Sequence, residues 1–383
     1  MLPAHLANAL VAGHPWVYRN HVPGSVALPS GSWVRVRAGH FEAHALWDAT
    51  SPIALRIFSR TAPPDVAFFR ARVRDALLLR APLRAQGTTA FRLLYGEGDG
   101  VPGVTVDVYG NFAVLVTYAD SLQAVVPSIV AALNAELALE GVIHKASRRE
   151  AQEQRWVLLS GREPPERVAV REHSVQLWAD LHAGQKTGLF LDHRDNRAYV
   201  RSVAQSRRML NLFAYTGAFS VYAALGGAER TTSVDIAPAA MAAARDNFSL
   251  NQLDPAAHEL VVADVFDYLQ ATRPLRKFDL VVCDPPSFAA SRDKQFAAQR
   301  AYVKLNALGL AVTEPGGLYA AASCTAQVSP EAFREALSLS AERAKVRFQI
   351  VHDVGQPLDH PVFAGHPEGR YLKFVVGRVL PLV

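Results

Sequence analysis

Several features that define whole classes of protein are missing or scarce in this sequence. Its 383 residues include two cysteines and no CxxC pair, which excludes a disulfide scaffold and a cysteine-based zinc site. No run of about 18 apolar residues occurs, and no charged N-terminal segment precedes an apolar one, so we expect neither a membrane span nor a secretory signal. The 13 histidines lack HExxH spacing, so we predict no metal. These absences predict a cytoplasmic protein.

The composition is that of a folded chain with a basic balance. Hydrophobic residues make up 50% and charged residues 20%, which excludes disorder as the main state. The formal net charge is +5, and of the 40 basic residues only seven are lysine. Arginine suits phosphate, because its planar fork donates two hydrogen bonds at once. A nucleic-acid partner is compatible with this balance, although a genome rich in arginine codons would produce the same excess.

Turn and linker signals, with changes in the pattern of apolar residues, divide the chain into three predicted domains. Residues 1–65 hold short alternating apolar runs broken by glycine and proline, the pattern of a small β domain. Residues 66–172 begin with an amphipathic helix and continue with strands separated by glycine turns, as in an α+β domain. From residue 173 to residue 383, strands alternate with helices. The predicted fold of this last domain is therefore α/β, with a doubly wound, Rossmann-like parallel sheet.

Ligands of such sheets bind beyond the carboxyl ends of the strands, so the residues at those ends are the candidates. The first strand leads into NLFAYTG, where Asn211, Tyr215 and Thr216 suit a small ligand that carries an amino acid. This turn is not GxGxxG, which counts against a dinucleotide and thus against a nicotinamide-dependent oxidoreductase. Asp235 ends the second strand, 24 residues after Asn211, where a carboxylate holds a ribose diol. Asp264, at the end of the third predicted strand, is placed to accept from an adenine amine, although each aspartate alone could simply cap a helix.

The fourth and fifth predicted strands end in the residues best suited to chemistry. The fourth ends in Cys283-Asp284-Pro-Pro, and the two prolines hold Asp284 extended in the crevice. The fifth ends at Ser323, followed by Cys324 and Thr325. Cys283 lies inside an apolar run and reads as a small buried hydrophobe, whereas Cys324 lies past its strand and is a candidate nucleophile.

These motifs, taken together, resemble a known family. The ordered segments NLFAYTG, SVDIAP, ADVF, DPPSF and SCT resemble those of class I S-adenosylmethionine-dependent RNA methyltransferases. The upstream segment QKTGLFLDHRDNR narrows the resemblance to the bacterial 23S ribosomal RNA large subunit methyltransferase I family, which makes 5-methylcytosine. GHPWVY resembles the N-terminal PUA domain of that family, and the likeness extends over almost the whole chain.

The resemblance implies a cofactor, S-adenosyl-L-methionine, and a role for each matching residue. Asp284 and Cys324 would be catalytic, with Cys324 forming a covalent adduct at carbon 6 of cytosine. Ribosomal RNA, either 23S RNA or a large-subunit precursor, would be the partner of a monomer or homodimer, with no membrane contact. The cofactor would be bound by Phe190, Asp192, Asn211, Phe213, Tyr215, Thr216, Gly217, Asp235, Asp264 and Asp284.

The sequence departs from the wider group in ways that leave alternatives open. Cytosine-5 RNA methyltransferases of a broader type carry a second cysteine directly after Asp-Pro-Pro, where this chain has Ser287. The segment IHKASRREAQEQR diverges from the family pattern, so the choice of RNA target is less certain than the chemistry. A guanine-N7 or other base methyltransferase of the same fold is one alternative, which Cys324 disfavours. A non-catalytic RNA-binding assembly factor is another, which the complete set of strand-end residues disfavours.

Overall fold

The computed structural model describes residues 1–145, 156–272, 276–288 and 295–382. The divergent basic segment thus lies mostly outside the described residues. The chain forms two compact units. The first comprises residues 1–174, 179–191 and 358–369, and the second comprises residues 175–178, 192–357 and 370–383. Within the described ranges, no helix combines the length and the apolar character that crossing a membrane requires.

The first unit begins with a four-stranded antiparallel sheet in the order β1-β4-β3-β2. Alternate residues of β3 face a small core that includes Phe41 and Trp47, both buried. This is the half-buried pattern that alternating apolar residues predict. A short helix precedes the sheet. These elements are α1 (Ala7–Val11), β1 (Trp16–Tyr18), β2 (Trp33–Ala38), β3 (Phe41–Trp47) and β4 (Ile53–Ser59).

A five-stranded sheet in the order β5-β6-β7-β8-β9 completes the main part of the first unit. All pairs are antiparallel except β7 with β8, which a helical crossover connects. The Asp65 carboxylate accepts from Phe68 N at 2.9 Å and so caps the first long helix. The elements are α2 (Val66–Leu79), α3 (Ala81–Ala85), β5 (Ala90–Tyr95), β6 (Val104–Tyr109), β7 (Phe112–Thr117), α4 (Val126–Glu136), β8 (Gly141–Lys145) and β9 (Trp156–Gly161). Two further strands follow, β10 (Arg167–Glu172) and β11 (Val175–Asp180).

The second unit is built on a seven-stranded sheet in the order β14-β13-β12-β15-β16-β18-β17. The first five strands are parallel, whereas β18 runs antiparallel to both β16 and β17. The central strands read as continuous apolar runs because both faces of a parallel sheet are covered by helices. The strands are β12 (Arg208–Leu212), β13 (Arg230–Asp235), β14 (Glu259–Val262), β15 (Phe278–Cys283), β16 (Thr313–Ser323), β17 (Val346–Val354) and β18 (Lys373–Pro381).

Helices follow most of these strands in sequence and bury them. Proline stands at the start of α7 and α10, where its missing N–H costs no helical hydrogen bond. The helices are α5 (Arg194–Ser202), α6 (Ala218–Leu225), α7 (Pro238–Leu250), α8 (Val265–Thr272), α9 (Gln295–Ala311) and α10 (Pro330–Ala344). The α/β fold predicted from the alternation of strands and helices is thereby confirmed.

One predicted strand boundary was wrong. The third strand of the alternating region, β14, ends at Val262 rather than at Asp264. Asp264 instead accepts hydrogen bonds from Phe266 N at 2.8 Å and Asp267 N at 3.2 Å. The side chain therefore caps α8, and a capping residue has left the strand by definition.

Candidate active site

The candidate site of the second unit lies where the order of the sheet reverses. From β12 the chain adds β13 and β14 on one side, and then β15 and β16 on the other. Leu212 and Cys283 are partners in the parallel β12–β15 pair, so the loops that follow these strands start side by side. Asp284 N lies 3.5 Å from Leu212 O. Such a reversal is the place where open α/β sheets bind ligands.

The turn after β12 has an unusual backbone. Phe213, Tyr215 and Gly217 have φ of +57°, +48° and +71°, so every second residue is left-handed. This conformation is costly for residues other than glycine and persists only where the surroundings impose it. At Gly217 a Cβ would lie 2.8 Å from Ala244 Cβ, so a side chain would collide with α7. The predicted cofactor segment 213–217 is therefore a rigid, strained turn at the sheet edge.

Asp235 holds this turn in place from the end of β13. Its Oδ2 accepts from Tyr215 N at 2.9 Å, and its Oδ1 accepts from Ala237 N at 3.0 Å. The carboxylate thus connects the first two strand ends. Asp264 lies beyond the third strand and is exposed, with Oδ1 engaged in the cap of α8. The structure brings these acids to the same edge as the turn, and their predicted ribose and adenine contacts stay predictions.

Asn211 and Thr216 each carry a buried side-chain oxygen at this turn. The Asn211 amide donates to Ser220 Oγ at 3.0 Å, and Ser220 Oγ lies 2.7 Å from Ser233 Oγ. Asn211 thereby joins β12 to α6 and β13. Its Oδ1 and Thr216 Oγ1 are buried without a hydrogen-bond partner among the described residues. Orphaned polar atoms beside a strained turn fit a polar ligand, because burying them unpaired is costly.

Asp284 is partly exposed and contacts a histidine that sequence analysis did not assign to the site. Its Oδ2 lies 3.3 Å from Nε2 of His193, a side chain that is only 2% exposed. The Asn196 amide lies 3.0 Å from His193 Nδ1 and can donate to it. With Nδ1 accepting, the neutral ring carries its proton on Nε2 and donates to the carboxylate. The LDHR motif offered the only sequence signal for this contact.

Cys324 is partly exposed, whereas Cys283 is buried. The loop that carries Cys324 contacts the loop that carries Asp284, because Thr325 Oγ1 lies 3.0 Å from Ser287 Oγ. Tyr302 of α9 adds its hydroxyl 2.8 Å from Thr325 Oγ1. The pKa of Tyr302 is raised to about 12, chiefly by burial; the negative charges of Cys324 and Asp284 add to the increase, and the hydrogen bonds with Ser323 and Thr325 oppose it. The charges of Cys324 and Asp284 thus both act on the same tyrosine.

A lysine that the sequence analysis overlooked lies against the Cys324 loop. Lys373, at the start of β18, is 3% exposed and donates to the backbone oxygens of Thr325, Val328 and Tyr371 at 2.6, 2.8 and 2.8 Å. Burial lowers its pKa to about 8, and the charge of Cys324 acts in the opposite direction.

The two remaining predicted cofactor residues lie in different units. Asp192 is buried in the second unit, where its Oδ2 accepts from the Tyr371 hydroxyl at 2.5 Å. Phe190 belongs to the first unit, where Lys186 Nζ lies 4.3 Å from the centre of its ring. Their cofactor contacts stay predictions.

The first unit contains a small group of potential metal ligands. In the described part of the chain, ligand atoms of His14, His366 and Glu368 lie within 4.8 Å of one another. His14 Nε2 lies 3.5 Å from Glu368 Oε1, an ordinary ion-pair distance when the histidine is protonated. The expectation of a chain without metal stays a prediction.

Comparison with known proteins places this site in a family. A family model described as S-adenosylmethionine-dependent methyltransferase matches residues 122–363, and a PUA-like domain model matches residues 2–60. A crystal structure of SMU.776, described as a methyltransferase complexed with SAH, has a TM-score of 0.87 at 28% identity and covers 98% of this chain and 99% of its own. A SAM-dependent methyltransferase from Streptococcus mutans has a TM-score of 0.86 at 28% identity, covering 99% of this chain and all of its own.

Curated relatives match along nearly the full length. Proteins named ribosomal RNA large subunit methyltransferase I are 33% identical in Salmonella arizonae, over 97% of this chain and 95% of that protein, and 35% identical in Cronobacter sakazakii, over 95% of each. The resemblance inferred from the motifs is confirmed. The chain is therefore an S-adenosyl-L-methionine-dependent methyltransferase and belongs to the family named ribosomal RNA large subunit methyltransferase I.

Proposed function

We propose that the chain makes 5-methylcytosine in 23S ribosomal RNA, or in its large-subunit precursor, with Cys324 as the nucleophile. The observation that carries the proposal is a partly exposed cysteine on a loop in contact with the Asp284 loop, at the reversal point of the sheet. The names of the relatives support ribosomal RNA as substrate. We place the reaction in the cytoplasm, on a monomer or homodimer.

Cytosine requires a nucleophile from the protein because its carbon 5 is weakly nucleophilic. The Cys324 thiolate forms a bond to carbon 6, and the electron pair of the 5,6 double bond becomes available at carbon 5. Asp284 faces the ring nitrogen edge and favours protonation of that nitrogen as the adduct forms. S-adenosyl-L-methionine, when bound, supplies an electrophilic methyl group. The proton on carbon 5 then leaves to a solvent base, the Sγ–carbon bond breaks, and the double bond is restored.

The described residues fit this cofactor. Asp235 at the end of β13 and Asp264 two residues beyond β14 offer carboxylate oxygens, where ribose and adenine would be held. Thr216 Oγ1, within the strained turn, and Asn211 Oδ1, two residues before it, are buried oxygens without a hydrogen-bond partner among the described residues. Phe213 and Tyr215 line that turn, and Asp192 lies in the preceding LDHR segment. Each of these residues would bind or orient the cofactor, and none of them needs to form or break a covalent bond during the reaction.

RNA recognition falls to the basic and PUA-like parts of the chain. A cytosine in a folded RNA must leave its stack to reach a sheet-edge crevice, at a cost of a few kcal/mol. Phosphate contacts outside the crevice offset this cost and orient the RNA without reading its sequence. The PUA-like domain at residues 2–60 and the arginine excess supply such contacts.

The test maps modified bases in the source organism. Bisulfite sequencing and mass mapping of 23S RNA from a deletion strain should show the loss of one 5-methylcytosine, restored by the wild-type gene and not by a Cys324→Ala gene. Loss of a 7-methylguanosine instead would overturn the proposal in favour of the guanine-N7 alternative. An unchanged modification pattern, together with no calorimetric binding of S-adenosylmethionine, would favour the non-catalytic assembly factor.

A second experiment traps the adduct. An RNA fragment carries 5-fluorocytosine at the mapped position and is incubated with S-adenosylmethionine. After methyl transfer to carbon 5, fluorine cannot leave as the proton does, so the Sγ–carbon bond should persist through denaturing electrophoresis. The Cys283→Ala variant should trap the RNA like the wild type. A band that survives Cys324→Ala would contradict the assignment of the nucleophile.

A further inference from the structure

We propose that Lys373 is a positioning residue that holds the Cys324 loop and stabilises the thiolate form of Cys324. The inference rests on the proposed function, which makes Cys324 the nucleophile. It adds a cation supplied by β18, the strand on the far side of β16.

Strand register places the two residues together. In the antiparallel β16–β18 pair, Ser323 and Lys373 are direct partners, and Cys324 is the next residue along the chain. The Lys373 side chain then reaches past this pair to Thr325 O at 2.6 Å and Val328 O at 2.8 Å. The ammonium group thus crosslinks two points of the loop that begins at Cys324.

The hydrogen bonds of Lys373 define what it can do. An ammonium has three donors and no acceptor, and all three meet backbone oxygens, those of Thr325, Val328 and Tyr371. In this arrangement the group neither accepts a proton nor approaches the reacting carbon as a base. Its contribution to the reaction is its position and its charge.

The charge of Lys373 matters because its side chain is buried. Lys373 is 3% exposed, and a buried ammonium is costly unless compensated. Three carbonyl dipoles compensate part of this cost, and the negative charge of Cys324 favours the charged form of Lys373. The coupling is reciprocal, so the ammonium favours the thiolate by the same free energy. Without Lys373 the thiolate would form on a loop that contacts the loop of another anion, Asp284, and the hydroxyl of Tyr302.

Selective alkylation tests the charge without requiring methyl transfer. In a Cys283→Ala background, the iodoacetamide reaction of Cys324 would be followed by mass spectrometry from pH 6 to pH 10. Replacing Lys373 by Met should slow alkylation at pH 7.5 roughly tenfold and move its midpoint up by about one pH unit. Rates at pH 10 should converge, because the thiolate is then populated in both proteins. The groups that face Cys324 from other elements, Asp284 and Tyr302, are unchanged in the comparison.

Control variants separate charge from loop structure. Lys277, an exposed lysine before β15, provides a matched Lys→Met control that should leave the alkylation profile unchanged. Lys373→Arg keeps the charge with altered hydrogen bonding, and should retain the low midpoint even if its rate falls. Calorimetric binding of S-adenosylmethionine to each variant reports whether the sheet edge is intact.

The outcomes are separable from those of the proposed function. For methyl transfer, Lys373→Met should lower kcat at pH 7.5 about tenfold, with partial recovery at pH 9 and little change in KM for RNA. The charge role is wrong if Lys373→Met and Lys373→Arg both show the wild-type pH midpoint of alkylation. It is also wrong if Lys373→Met does not fold and the folded Lys373→Arg variant shows a raised midpoint. Full activity of Cys324→Ala would refute the nucleophile, whatever the alkylation profile shows.

Discussion

The ends of two neighbouring strands, β15 and β16, each carry a cysteine and a polar residue, in opposite order. At the end of β15 a cysteine, Cys283, is the last paired residue and the polar Asp284 follows it. At the end of β16 a hydroxyl residue, Ser323, is the last paired residue and Cys324 follows it. Cys283 is buried and burial raises its pKa to about 12, whereas Cys324 is partly exposed. A displacement of one residue relative to the strand end separates an inert thiol from a candidate nucleophile.

The difference follows from how parallel strands end. The last paired residues, Cys283 and Ser323, are held between the helices that cover the sheet, and both are completely buried. The next residue leaves the ladder and enters the crevice, where side chains meet solvent and ligand. The chemistry of each strand end is therefore set by its first unpaired residue, which is an acid after β15 and a thiol after β16.

The largest loss of activity is expected from replacing the partly exposed cysteine at the end of β16. Cys324→Ala should lower kcat for RNA methylation roughly 10³-fold or more, because no other group can form the adduct. Binding of S-adenosyl-L-methionine, measured by calorimetry, should be nearly unchanged. The matched variant Cys283→Ala should keep most of the activity. Equal losses in both variants would mean that the two thiols do not differ in role.

Asp284→Asn should have the next largest effect. The amide keeps the shape and loses the charge that meets His193 and that the proposed reaction directs at the cytosine ring, so kcat should fall about 100-fold. Single-turnover methylation with saturating RNA measures this loss directly. The control is Asp279→Asn, which removes a carboxylate from the opposite part of β15, where it pairs with Arg208 at 2.9 Å. That variant should lose stability rather than chemistry, and a comparable fall in single-turnover rate would contradict the role of Asp284.

The smallest effect is expected from replacing the buried cysteine at the end of β15, and it concerns stability. Cys283→Ala removes a sulfur atom from a closely packed core and should lower the free energy of unfolding by about 1 kcal/mol. Urea denaturation followed by circular dichroism measures this change. In the folded wild type, iodoacetamide should label Cys324 and spare Cys283 until the protein unfolds. Early labelling of Cys283 would show that its burial is not maintained in solution.

Local patterns in the sequence predicted most strand ends because the relevant signals lie within a few residues. Asp235, Cys283 and Ser323 each close a strand near the point where an apolar run gives way to polar residues. Asp264 was predicted to end a strand, whereas it caps the next helix. An aspartate between an apolar strand and an apolar helix is compatible with both the strand-end and the helix-cap pattern.

Such local patterns could not predict which distant residues become partners in the sheet. Lys373 meets Ser323 through antiparallel pairing across about fifty residues, and nothing near Lys373 announces that partner. Asn211 has a polar side chain at a strand end, yet its amide turns inward to Ser220, a choice that depends on where α6 packs. Phe190 and Asp192 are two residues apart and belong to different units, which a linear motif cannot reveal.

The antiparallel insertion of β18 beside β16 has a consequence for biosynthesis. Cys324 leaves the ribosome well before Lys373, so a nascent chain can assemble β12 to β16 while the ammonium that meets the Cys324 loop is still untranslated. The thiol therefore gains its counter-ion only when the later strand has docked, and a product of translation truncated before residue 373 would fold part of the sheet with an unactivated sulfur.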